Sequence, residues 1–148
     1  MPHRPVCLIP ALLSLALMVP VEHVRAQRRA HDPYCGRDVV YVANGSNGDL
    51  SVSENIAEVI AARRYNLSIM TLHWCRYNQM VKDHMDYPGQ LAGARRLADH
   101  LACLRAACPE RKLYVIGHSA GTHVVLVAAG MLPPGIIDRI VLLAPSVS

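Results

Sequence analysis

Apolar residues along this chain form two kinds of pattern, unbroken short runs and stripes spaced three and four positions apart. Val39 to Ala43 is an unbroken run, bounded by Asn44-Gly45-Ser46-Asn47-Gly48-Asp49. It reads as a buried strand that feeds a glycine-rich loop. Ser51 followed by Glu54 is a capping-box signature, and Ile56, Val59 and Ile60 repeat at helical spacing, predicting a helix from about Val52 to Arg64. Leu67 to Trp74 reads as a second strand. Cys75 to Tyr87 is polar and irregular, a long loop with room for one helical turn. Leu91, Ala94, Leu97, Ala98, Leu101 and Leu104 mark one face of an amphipathic helix, closed off by Pro109. Leu113 to Ile116 is a third strand. Val124, Val125, Ala128 and Ala129 carry a helix that stops near Gly130, and after the Pro133-Pro134-Gly135 turn Ile140 to Leu143 is a fourth strand.

Strand and helix therefore alternate. Each helix must carry the chain back across the sheet, which forces parallel pairing with right-handed crossovers. The strands read as continuous apolar runs, as a sheet covered on both faces requires. The expected class is α/β, a parallel sheet with helices on both faces.

The first 26 residues stand apart from this pattern. Arg4 gives a basic start, Val6 to Val21 is apolar apart from Ser14, and Val24-Arg25-Ala26 offers small residues where a signal peptidase reads. A membrane anchor is the competing reading, but the run is short of the ~20 residues a spanning helix needs and is broken by Pro10 and Pro20. Cys7 lies too early in it for a lipoprotein anchor. We expect a cleaved export signal over 1–26, a polar lead-in over 27–37 and one domain over 38–148. The mature chain would then be secreted or periplasmic, with no stable membrane insertion.

Composition narrows the function classes. A hydrophobic share of 52% against 18% charged residues excludes intrinsic disorder. The 15 Lys+Arg against 11 Asp+Glu are mostly scattered arginines, without the clustered stripe of a nucleic-acid groove. Phe is absent and Trp occurs once, so stacking platforms are few and no nucleic-acid partner is expected. No G-x-G-x-x-G follows the first strand, which argues against a dinucleotide binder. Beyond Cys7, the cysteines are Cys35, Cys75, Cys103 and Cys108, an even number suited to an oxidising compartment and to no zinc pattern. No metal or cofactor is expected. Cys103 and Cys108 can bridge only if the helix between them unwinds.

One motif carries chemistry: Gly117-His118-Ser119-Ala120-Gly121, between the third strand and the next helix. A serine on so tight a turn holds a strained backbone, and side chains two positions either side would collide. Glycine at both places removes the collision and pushes the serine oxygen out at the carboxyl edge of the sheet. The Ala120 N–H then points into the same space, at a helix N-terminus that favours a developing oxyanion.

On this elbow, the strand Leu113-Tyr114-Val115-Ile116 before it and the strand Ile140 to Ala144 after it, the chain resembles the α/β-hydrolase superfamily of esterases, lipases and thioesterases. The resemblance spans about Asp38 to Ser148. It implies Ser119 as nucleophile, Gly117, His118 and Gly121 as the elbow around it, and Ala120 N–H as one oxyanion donor. Val39 to Gly48 is similar to the family's earlier strand and oxyanion loop, with Asn44-Gly45 where His-Gly is common, and implies Ser46 N–H as the second donor. The strands would lie in the order second-first-third-fourth.

The acid and histidine do not follow as the family requires. After Ser119 only Asp138 and His123 are candidates; Asp138 precedes the fourth strand, at the opposite edge, and His123 sits on a helix leading away from the serine. His118 is expected to pack beneath the turn. A rearranged pair, His84 with Asp86, competes with the reading of both as solvated loop residues. The expectation is an incomplete α/β-hydrolase fold: an exported serine hydrolase acting on a small ester or acyl substrate, ending before its acid and histidine. The alternative is a non-catalytic chain that keeps the scaffold for binding.

Overall fold

A computed structural model describes residues 36–145. The export signal over 1–26, the lead-in as far as Cys35, and the last three residues lie outside the described residues. Four strands form one parallel sheet: β1 (Asp38–Ala43), β2 (Leu67–Leu72), β3 (Leu113–His118) and β4 (Arg139–Leu143), in the order β2-β1-β3-β4. That is an α/β fold with the strand order expected from the sequence. Strand β1 is the middle of it, pairing Val40 with Ile69 on one side and with Tyr114 on the other. Strand β4 adds beyond β3, Ile116 opposite Val141.

Four α-helices connect the strands: α1 (Ser51–Arg63), α2 (Met80–Met85), α3 (Tyr87–Ala107) and α4 (Gly121–Gly130). The two-residue period of β1 divides the layers. Val39, Tyr41 and Ala43 join Leu113 and Val115 in a core closed by Ala94, Leu97 and Leu101 of α3 and Val124, Val125 and Ala128 of α4. Val40 and Val42 face the other way and are also buried, on the side where α1 packs against β2. Gly93 is where α3 comes closest to the end of β2: a Cβ there would sit 2.7 Å from Cβ of Trp74.

Several expectations are corrected. The capping box does not form, because Ser51 lies inside α1 and its hydroxyl bonds Asp49; the first-turn N–H groups go to side chains from the preceding loop, Ser51 N–H to Asp49 and Ser53 N–H to Asn44. Strand β2 stops at Leu72, not Trp74. Helix α3 begins at Tyr87, four residues before its apolar stripe, because Asp86 accepts from the Gly89 N–H and Pro88 suits the first turn, where no N–H is needed. The loop before it, read with room for one helical turn, does carry a short helix, α2. Cys103 is free and Cys108 is in a disulfide, so the two do not bridge each other. Since Cys75 is also free, the partner of Cys108 lies outside the described residues.

Candidate active site

Parallel strands send all their carboxyl ends to one edge, and there the loops after β1, β2 and β3 meet. Ser119 follows β3 directly with φ 51°, a left-handed conformation that costs a non-glycine residue about 1–2 kcal/mol. The strain is held from both sides. The Ser119 N–H continues the ladder to the Leu143 carbonyl at 3.0 Å, and its own carbonyl accepts from the Thr122 N–H and hydroxyl. Both elbow glycines are needed for space. A Cβ at Gly117 would lie 2.8 Å from Cα of Thr122, and one at Gly121 would run into the carbonyl oxygens of Ala43 and Asn44. The start of α4 is thus pressed against the end of β1.

The expected oxyanion loop is brought to the same point. A methyl group at Gly45 would lie 3.4 Å from Cβ of Ser119 and 3.3 Å from Nδ1 of His118, so the loop passes beside the elbow with room for little more than a glycine. Ser46 is the next residue along. The N–H groups of Ala120 and Ser46, and the hydroxyl of Ser119, have no hydrogen-bond partner among the described residues. His118 is half-buried against this loop, between the elbow and Gly45.

Buried polar groups fix the loop in place. Asn44 takes both sides of Ser53: its amide donates to the Ser53 hydroxyl at 3.1 Å, and its oxygen accepts the Ser53 N–H. Its carbonyl accepts from the indole N–H of Trp74 at 2.8 Å. Asp83, fully buried on α2, accepts four backbone N–H groups, those of Arg76 and Tyr77 on one oxygen and of Gln79 and Asn47 on the other. Burial pushes its carboxyl up, but the N–H donors of Tyr77, Gln79, Arg76 and Asn47 outweigh that and hold it below the usual carboxylate range. Asn47 itself is left-handed at φ 79°. Sequence reasoning missed Asp83; the only signal was an acid near the start of a possible helical turn after a polar loop.

No serine–histidine–acid constellation forms among the described residues. Asp86 is held by Arg76 in a two-pronged ion pair and caps α3, and the side chain of His84 has no partner among the described residues, so the rearranged pair is absent. Asp138 lies at the amino edge as expected, accepting from Leu113 N–H, Arg105 and Lys112. His123 is tied to α3. The amide nitrogen of buried Gln90 donates to the carbonyls of His84 and Asp83, at 2.7 and 3.2 Å, which leaves its oxygen facing Nδ1 of His123 at 2.7 Å. That nitrogen must therefore carry the proton. The ring also meets Tyr87 edge-on, so His123 serves the α3–α4 junction.

A pocket of about 200 Å³ opens between the β1 loop and the end of β2, and no elbow residue lines it. Gly45 is part of its wall, with Leu50, Leu72, Trp74 and Cys75. The Cys75 thiol donates to the Gly45 carbonyl, and burial pushes its pKa up. It is a neutral wall group and no thiolate nucleophile. Among the described residues no group of His, Cys, Asp and Glu is arranged to hold a metal ion, and no helix is long and apolar enough to cross a membrane.

No protein-family model matches the chain, and no curated protein matches it. Among solved structures, it is similar to an uncharacterized protein from Bacillus cereus, with a TM-score of 0.50 and 15% identity over 84% of this chain. The chain spans 41% of the length of that protein. A likeness at that identity shows the fold, an α/β arrangement around a parallel sheet.

Proposed function

We propose that this chain carries the nucleophile and oxyanion loop of an exported serine hydrolase of the α/β-hydrolase type. The observation that carries the reading is Ser119 held at φ 51° between strand and helix, with neighbouring backbone filling the space a Cβ would need at Gly117 and Gly121. The Ser119 hydroxyl oxygen bonds to the ester carbonyl carbon, its proton passes to a general base, and the carbonyl oxygen becomes an oxyanion facing the N–H groups of Ala120 and Ser46. Collapse expels the alcohol, which takes the proton from the base; water then attacks the acyl-serine and the same steps release the acid. The reading takes the general base and its orienting carboxylate from outside residues 36–145. A disulfide at Cys108 suits the oxidising compartment that export implies.

A second reading is favoured by one observation. Asp86, His123 and Asp138 are all committed to structural partners, as a non-catalytic α/β scaffold kept for binding would have them. A fluorophosphonate probe separates the two. We expect it to label Ser119 in the intact protein and to lose that label in Ser119→Ala; an unlabelled Ser119 in well-folded protein favours the scaffold.

A further inference from the structure

We infer that the guanidinium of Arg111 is the docking point for the segment before β1, with the Asp32 carboxylate as its counter-ion. Arg111 is only 4% exposed, and its Nε and Nη2 are buried with no hydrogen-bond partner among the described residues. A guanidinium keeps its charge in any protein environment, and a buried charge is costly unless it is paired. Those two nitrogens form the side-on fork with which Arg76 grips both oxygens of Asp86 in this same molecule. The Arg111 fork therefore calls for a carboxylate.

The described acids do not supply it. Asp138 is held by Leu113, Arg105 and Lys112, and Asp38 accepts from the Lys112 N–H. No ion pair to Arg111 forms among the described residues. Of the chain's 11 Asp and Glu, only Glu22 and Asp32 stand outside the described residues. Glu22 belongs to the expected export signal. Asp32 remains.

The cysteines bring Asp32 to the right corner. Cys108 is in a disulfide while Cys75 and Cys103 are free, so its partner is Cys7 or Cys35. The chain enters the fold beside Cys108. Asn66 holds the Gly36 carbonyl at 3.0 Å, and the Val39 N–H bonds the Lys112 carbonyl at 2.9 Å. Cys35 and Cys108 lie equally far before that bond, ahead of neighbouring strands that run the same way, whereas Cys7 belongs to the export signal. Arg111 closes a tight turn with Cys108, its N–H on the Cys108 carbonyl at 3.1 Å, and Arg105 clamps that turn through the Pro109 and Arg111 carbonyls.

Reach is sufficient. Disulfide-linked Cα atoms lie about 6 Å apart and the ends of such a turn less than about 7 Å. The step from Cys35 back to Asp32 spans at most ~10 Å, so its carboxylate can meet the Arg111 fork. The disulfide then gives this one carboxylate a high effective concentration at the fork.

The intact, oxidised protein tests this in two ways. Peptide mapping without reduction should find the Cys35 peptide joined to the Cys108 peptide. Cys108 joined to Cys7, or present as a thiol, overturns the inference. In thermal melts Asp32→Ala, which strands the Arg111 charge, should lower the melting temperature by about 4 °C or more. The same substitution made on Arg111→Met should cost less than half as much. No loss on the wild type, or equal losses on both backgrounds, overturns the pairing.

Formate, the smallest carboxylate, decides the matter should Arg111→Met fail to fold. At tens of millimolar, against chloride of equal ionic strength, it should raise the melting temperature of Asp32→Ala by about 2 °C or more. The wild type should gain less than half of that. An equal gain in the wild type shows a fork open to free anions and overturns Asp32 as its occupant; no gain in Asp32→Ala overturns it too.

Discussion

Single residues at the two edges of the sheet do different work. At the carboxyl edge Gly121 has backbone where a side chain would go, whereas Gly130 at the far end of the same helix has nothing within 4 Å of that position. Gly121→Ala should therefore lose about 2–3 kcal/mol in a denaturant titration, the range for overfilling a packed site. Gly130→Ala, on the same helix, should be neutral or stabilising by up to ~1 kcal/mol. At the amino edge Asp138 is the group that senses pH. Burial raises its carboxyl, but Leu113 N–H, Arg105 and Lys112 outweigh that and bring it from 3.8 down to about 2. A carboxyl lower in the folded state contributes stability that is full above its unfolded value and lost as pH falls through the folded one. Asp138 is partly open to solvent, so its contribution is about 1 kcal/mol. Melting temperature should fall between pH 4 and pH 2, and Asp138→Asn should flatten part of that slope; an identical slope in the variant would remove Asp138 from the account.

At the scale of elements, the best-read parts were those fixed by local pattern. The strands at Val39 and Leu113 are continuous apolar runs and lie in the middle of the sheet. Ile140 to Leu143 is an equally apolar run and lies exposed at the edge, so the run predicts a strand and the topology decides its burial. The elbow was legible because its steric requirement is written in two glycines and a serine. The loop from Cys75 to Met85 was illegible because its order comes from a long-range tie: one carboxylate collects N–H groups from Arg76, Tyr77 and Gln79 nearby and from Asn47 thirty-six positions away. Nothing in spacing or hydropathy announces such a hub. Asn44 is similar, since nothing in its spacing shows that its side chain holds the start of α1. The hub has a measurable weight. Asp83→Asn puts an amide N–H₂ against backbone donors, so we expect a loss of about 2–3 kcal/mol. Amide exchange at Asn47, Tyr77 and Gln79 should speed up together, while Asp49→Asn at the exposed cap should change stability by less than about 0.5 kcal/mol.

Across the molecule, burial is uneven in a way that bears on association. The sheet is sealed at β1, where five of six residues are buried, and thins toward β4, whose Val141, Leu142 and Leu143 remain 37–38% exposed. Val141 lies opposite Ile116 in the ladder, on the face away from α4, and Leu143 shares that face. The free side of β4 has no strand paired to it among the described residues, so unpaired backbone and apolar side chains occur together. That combination favours edge-to-edge pairing with a second copy. Purified 27–148 should therefore elute ahead of a monomer on size exclusion at tens of micromolar and shift toward monomer on dilution. Val141→Lys places a charge on the exposed face without touching the α3–α4 core, so it should reduce association while leaving the Ser119 elbow intact. A monodisperse monomer from the unsubstituted chain, at the same concentration, would show that β4 is protected by something other than a neighbouring strand.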